Sequence, residues 1–167
     1  MEVTRIQPFL HYFNSVRERT MRVARCIPPG KIDWACGEGR FTLGDLLRHI
    51  AITERYLWGE NIQGKPSAYK SHGKEFADGL ENVLALMERL HKESLDIFSR
   101  LTDAELQTKC QTPGGAELTK WKWLRLMVEH EIHHRGQIYI YLGMLGVPAP
   151  PLYGLTSEEV RARGIAD

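Results

Sequence analysis

The sequence predicts an all-α protein: a four-helix bundle with a short extra helix at the C-terminus. Three observations carry this. Four long stretches place apolar residues at helical spacing, the first, second and fourth are closed by glycine or proline, and no segment shows strand alternation. Amphipathic helices of this length bury their apolar stripes against one another.

The first helix is predicted from about Gln7 to Ile27. Phe9, Phe13, Val16 and Thr20 recur along one face, and Pro28, Pro29 and Gly30 stop it. A loop through Trp34 and Gly39 follows. The second helix opens at Thr42, with Asp45 three residues on as a relative of the capping box. Leu43, Leu46, Leu47, Ile50, Leu57 and Trp58 form its apolar side, and it fades before Gly64 and Pro66.

The third helix is predicted from about Lys74 to Leu101. Its stripe is Phe76, Leu80, Val83, Leu84, Met87, Leu90, Ser94, Ile97 and Phe98. A short turn capped by Thr102 covers Asp103 to Leu106, and QTPGGAELT reads as a loop. The fourth helix runs from near Thr119 to about Leu145, before Gly146 and Pro148. Thr156 and Glu159 make a capping box for the terminal helix.

With 167 residues and no repeat or low-complexity stretch, the chain reads as one domain over residues 1–167. It carries 22 Lys and Arg against 21 Asp and Glu, so no basic excess points to nucleic acid. No apolar run reaches a membrane span, and the N-terminus lacks a signal-peptide pattern, so a cytoplasmic location is expected. Cys26, Cys36 and Cys110 are odd in number and lack CxxC spacing. They are expected to be ordinary reduced thiols, not a zinc–thiolate site.

The fourth helix contains HEIHHRGQIYIYL, which places His130, His133, His134 and Arg135 within six residues. His130 and His134 are four apart, so their imidazoles share a face one turn apart and can hold one metal ion. His133 with His130 is allowed by the same geometry. Neutral imidazole is the commonest metal ligand that proteins offer near neutral pH. A catalytic site commonly takes three protein ligands and leaves a position open.

The third ligand must come from another helix, and His11, His49, His72 and His91 are candidates. His49 is the best, because it lies mid-helix in LLRHIAITERYLW, where an unsatisfied imidazole would be costly to bury. His72 lies in a loop with solvent as its expected partner. His91 reads as exposed, and His11 as a residue of a pocket. Glu54, Glu129, Glu131 and Gln137 are candidate acceptors for a ligand's second ring nitrogen. Glu54, Tyr56 and His133 are candidate general bases. Arg135 reads as a surface or packing residue. Trp121, Trp123, Tyr139 and Tyr141 read as core or interface aromatics.

The pairing of FTLGDLLRHIAITERYLWG with HEIHHRGQIYIYLGMLGVPAPPLYG resembles the DinB/YfiT-like family of small bacterial four-helix proteins. The likeness runs from about Phe9 into the GLTSEEV tail. It implies up-down-down-up helix order and a divalent metal held by three histidines. The lone helix-two histidine of the pattern matches His49; the first and last of HxxHH match His130 and His134. His133 falls outside the implied triad. Zn, Ni, Fe, Mn or Co would each suit three imidazoles.

Some relatives of the wider superfamily are thiol-dependent transferases or isomerases, in which the metal lowers the pKa of a small thiol. The resemblance therefore implies a metal-dependent enzyme, such as a low-molecular-weight thiol S-transferase or a related isomerase or hydrolase. The alternative is a metal-binding stress or damage-response protein without catalysis. A homodimer and a small-molecule substrate or thiol are the implied partners.

Overall fold

The computed structural model describes residues 2–148 and 150–164. Its elements in chain order are α1 (Ile6–Ala24), α2 (Leu43–Thr53), a π-helical segment (Glu54–Trp58), α3 (Gly59–Ile62), α4 (Leu80–Phe98), a 3-10 turn (Ala104–Gln107), β1 (Lys109–Gln111), β2 (Glu117–Thr119), α5 (Lys120–Met144) and α6 (Ser157–Gly164). The fold is mainly helical, as expected. α2 packs on α4 and α5, and α1 packs on α5 and α4.

α1 ends three residues earlier than the prolines alone imply. Cys26 and Ile27 donate to Val23 and Ala24, three residues back, so the last turn tightens before Pro28. At the start of α2 the expected cap is complete. Asp45 N–H donates to Thr42 Oγ1 and Thr42 N–H to Asp45 Oδ2, both at 3.0 Å. α2 then runs through the π-helical segment into α3, and a positive φ at Gly64 follows its last turn.

Two expectations need correction. α4 starts at Leu80, not Lys74. Gly79 has φ of 80°, which breaks the helix, and residues 74–76 form an isolated turn. The carbonyls of His72 and Ala77 are taken by the Arg48 guanidinium at 2.8 and 3.1 Å, so they are not helical acceptors. The second correction is to the all-α reading. β1 and β2 pair antiparallel, with Cys110 opposite Leu118, around a turn that contains Gly115 at φ 81°. Three-residue strands are too short to show a period of two. Their ladder comes from the turn and from burial of Cys110 near Leu106 and Leu124.

α5 stops as predicted. Val147 N–H donates to Leu142 and Gly146 N–H to Gly143, with Gly146 left-handed, which is the Schellman closure. Two apolar clusters fill the interior. Leu43, Leu47, Ile50, Met87, Leu90 and Ile138 belong to one, and Phe9, Phe13, Trp58, Phe98, Leu124 and Met127 to the other. Among the described residues no helix is long and apolar enough to cross a membrane.

Candidate metal centre

His49 stands two turns into α2, and His130 and His134 lie one turn apart in the middle of α5. The packing of α2 on α5 brings the three rings together. Nε2 of His130 lies 3.0 Å from Nε2 of His49 and 3.1 Å from Nε2 of His134. The three nitrogens fall within 4.8 Å of one another, and all three residues are half-buried. This group could hold a divalent metal ion.

The opposite ring nitrogens explain why Nε2 faces inward. The Nδ1 of His134 lies 2.7 Å from Gln137 Oε1, while the Gln137 amide nitrogen lies 3.2 Å from His133 Nε2. An amide that donates to His133 leaves its oxygen to accept from His134 Nδ1–H. His134 is then the tautomer with a lone pair on Nε2. His49 Nδ1 lies 3.2 Å from the Tyr69 hydroxyl, which is 2.7 Å from His72 Nδ1. A single hydroxyl proton given to His72 leaves the Tyr69 oxygen to accept from His49. Both tautomers therefore direct free lone pairs at one point.

Electrostatics agree with this assignment. Burial pushes the His49 imidazolium down to about 4, helped by the nearby imidazoles of His134 and His72. Burial likewise pushes His130 down to about 3, with His134, His49 and His133 adding to the effect. His134 is lowered by burial, against the opposing effect of the hydrogen bond it donates to Gln137 Oε1. All three rings are neutral at pH 7, the form in which imidazole binds a metal.

The walls come from three places. Trp58, at the end of the π-helical segment, packs its ring 4.8 Å from that of His130 and 5.4 Å from that of Trp123. Phe41, just before α2, lies 5.6 Å from His49 and 4.5 Å from His72. The loop between α3 and α4 supplies Tyr69 and His72. It is stapled down by Arg48, the residue beside His49, whose side chain is fully buried and also bonds Asp45 at 2.6 Å.

Other sequence expectations fare unevenly. His133 is exposed and outside the cluster, and His11 is exposed on α1. His72 is not left to solvent: Tyr69 and the ring of His49, 5.1 Å away, are its partners. His91 is buried, not exposed. It lies four residues after Met87 and seven before Phe98, on the buried stripe of α4, with its ring 4.6 Å from that of Phe13. Gln137 is an acceptor for a triad histidine, while Glu54 and Glu131 face Arg17 and Glu129 pairs with Arg125. Arg135 is a packing residue that bonds the Val16 carbonyl at 3.2 Å and the Tyr153 hydroxyl at 3.1 Å. Trp123 is buried, and Trp121, Tyr139 and Tyr141 are half-buried.

Tyr69 and Arg48 were missed by sequence reasoning. Tyr69 left no signal, because its loop has no period. Arg48 left one, an arginine enclosed by Leu46, Leu47 and Ile50 in a strongly apolar helix.

Comparison with known proteins agrees with this picture. The DinB family profile matches residues 1–164. The uncharacterized protein YjoA of Bacillus subtilis strain 168 is 28% identical over 151 residues, covering 85% of this chain and 92% of YjoA. The crystal structure of YjoA, a DinB-like protein, superposes with a TM-score of 0.70 at 24% identity, over 88% of this chain and 97% of that one. A DinB-like protein from Bacillus cereus ATCC 10987 gives 0.74 at 18% identity, over 90% and 99%. Those two likenesses speak for the fold. The family profile, which spans almost the whole sequence, shows that the chain belongs to the DinB family.

Proposed function

We propose that His49, His130 and His134 bind one divalent cation, and that the centre serves a metal-assisted reaction on a small molecule. The observation that carries the binding reading is the convergence of three Nε2 atoms whose opposite nitrogens are occupied at His49 and His134 by Tyr69 and Gln137. A cation held by three neutral imidazoles supplies Lewis acidity, which lowers the pKa of a coordinated thiol or water. The three rings are half-buried and so keep part of their surface open to solvent. Transfer onto a low-molecular-weight thiol is the first chemistry to screen, with isomerisation and hydrolysis next. Zn, Ni, Fe and Mn are the metals to test.

The test is elemental analysis of untagged protein purified without chelator, beside a His130→Ala variant. About one metal per chain, lost in the variant, supports the reading. Protein that stays metal-free after addition of Zn, Ni and Mn rejects it.

A second reading, a metal-binding stress protein without catalysis, draws on one observation. Glu54, in the π-helical segment that continues α2, and Glu131 of α5 are buried carboxylates, both bound to Arg17 and not free to act as bases. Metal-loaded protein that turns over no thiol–electrophile pair would favour it.

We further propose a homodimer in the cytoplasm. Support comes from Ile140 and Met144, which are 64% and 58% exposed on the outer side of α5, and from three unpaired cysteines that suit a reducing compartment. Light scattering at working concentration checks the assembly, and a monomer rejects it.

A further inference from the structure

Arg17 of α1 is 3% exposed, and its guanidinium reaches three other helical segments. Its Nε donates to Glu131 Oε1 at 3.0 Å and its Nη2 to Glu131 Oε2 at 3.1 Å, a two-point grip on α5. The same Nη2 donates to Glu54 in the π-helical segment, and Nη1 donates to the Met87 carbonyl of α4 at 3.3 Å. Glu54 also meets His91 Nδ1 at 3.2 Å. Glu54 and Glu131 are each 2% exposed.

Such a cluster is a poor way to gain stability, because desolvating three charges offsets much of their attraction. What it supplies is geometry. A planar fork with donors in fixed directions constrains two carboxylates far more tightly than apolar contact does. The two carboxylates sit where that constraint matters. Glu131 directly follows His130, and Glu54 lies five residues after His49.

The triad has one loose coordinate. His130 and His134 share α5, so their spacing is set by the helix itself. His49 comes from α2, and its distance from the other two depends on how α2 sits against α5. Metal–nitrogen bonds of about 2.0–2.1 Å tolerate errors of only about 0.2 Å. Helices packed through aliphatic side chains alone can slide by more than that.

We propose that Arg17 is a positioning residue for the metal centre: by bridging Glu54 and Glu131 it fixes α2 against α5 and so sets the place of His49 relative to His130 and His134. The proposal rests on the metal-binding reading above. It assigns no chemistry to Arg17 itself.

Cobalt(II) is the probe, because its visible absorption reports coordination geometry independently of affinity. Wild type is compared with Arg17→Lys, which keeps the charge but not the fork, and with the neutral cluster Arg17→Met, Glu54→Gln, Glu131→Gln. Leu106→Ala, in the 3-10 turn, controls for loss of stability alone. The expected result is folded variants that bind Co(II) about tenfold or more weakly, on the scale of other outer-shell losses, with a changed absorption band. The Leu106→Ala control keeps the wild-type band. Variants that match wild type in affinity and spectrum overturn the proposal while leaving the metal site intact. So does failure of both cluster variants to fold, which makes the cluster a stability element. Wild type that binds no Co(II) overturns the metal reading itself, and this proposal with it.

Discussion

The carboxamide oxygen of Gln137 lies 2.7 Å from Nδ1 of His134, one helical turn further along α5. That contact aims the His134 lone pair, and outer contacts of this type are worth about 10–100-fold in metal affinity. Gln137→Leu should therefore bind Zn about 10–100-fold more weakly with an unchanged fold. Gln137→Glu, which keeps the acceptor, should stay within a few-fold of wild type. Competition titration against a chromophoric chelator measures both, and equal affinity in the leucine variant would contradict the assignment.

Tyr69 does the same work for His49 from a different part of the chain. Tyr69→Phe removes the hydroxyl that meets His49 at 3.2 Å and His72 at 2.7 Å. The expected loss is about tenfold in Zn affinity. His72→Ala should lose less, because its hydrogen bond reaches His49 only through Tyr69. A larger effect for His72→Ala than for Tyr69→Phe would mean that His72 acts directly.

The depressed histidines make the metal-free protein acid-sensitive. Unfolded, these rings take up protons near the ordinary 6.5; folded, His49 waits until about 4 and His130 until about 3. Between those limits the unfolded chain binds more protons, so stability falls as pH drops from about 6.5 to about 3. It is fully present above that window and levels off below it. Urea midpoints across pH, for metal-free wild type and for His130→Asn, test this. The variant should show a shallower dependence, and identical slopes would refute the assignment.

Arg48 is a structural prediction with a functional consequence. Arg48→Met leaves the carbonyls of His72 and Ala77 without their donor. Hydrogen bonds to a charged group are worth about 1.5–3 kcal/mol each, and losing this set should cost about 2–4 kcal/mol. Chemical denaturation gives the total. Limited proteolysis should show new cleavage within residues 63–79, and unchanged protection there would be evidence against the staple.

What the sequence reveals here depends on whether a feature is periodic. The first, second and fourth helices and the Thr42–Asp45 cap were legible, because helical spacing and capping chemistry are local. His130 and His134 were legible because one turn of helix places them together. The meeting with His49 came from family likeness, since no local rule brings α2 onto α5. Arg17 was readable in principle, as it follows Phe13 by four residues on the buried stripe of α1. Glu54 and Glu131 carry a weaker signal, because a glutamate in a helix is ordinary until its partner is known. The hairpin of β1 and β2, and the loop that carries Tyr69 and His72, were hidden for a different reason. They are held by side-chain staples and a tight turn, which leave no repeating pattern.

The π-helical segment from Glu54 to Trp58 acts as a phase shifter. Gly59 donates to the carbonyl of Glu54, five residues back, so one residue is added to the turn without lengthening the contacts on either side. Winding the same residues into regular α-helical turns would rotate everything downstream by about 100° relative to His49. Trp58 would then swing off His130, and the loop behind it would be delivered at a different angle. The wide turn thus sets which way the Trp58 ring faces, and a one-residue deletion there would be absorbed by closing the turn, whereas one residue more would carry Trp58 off His130.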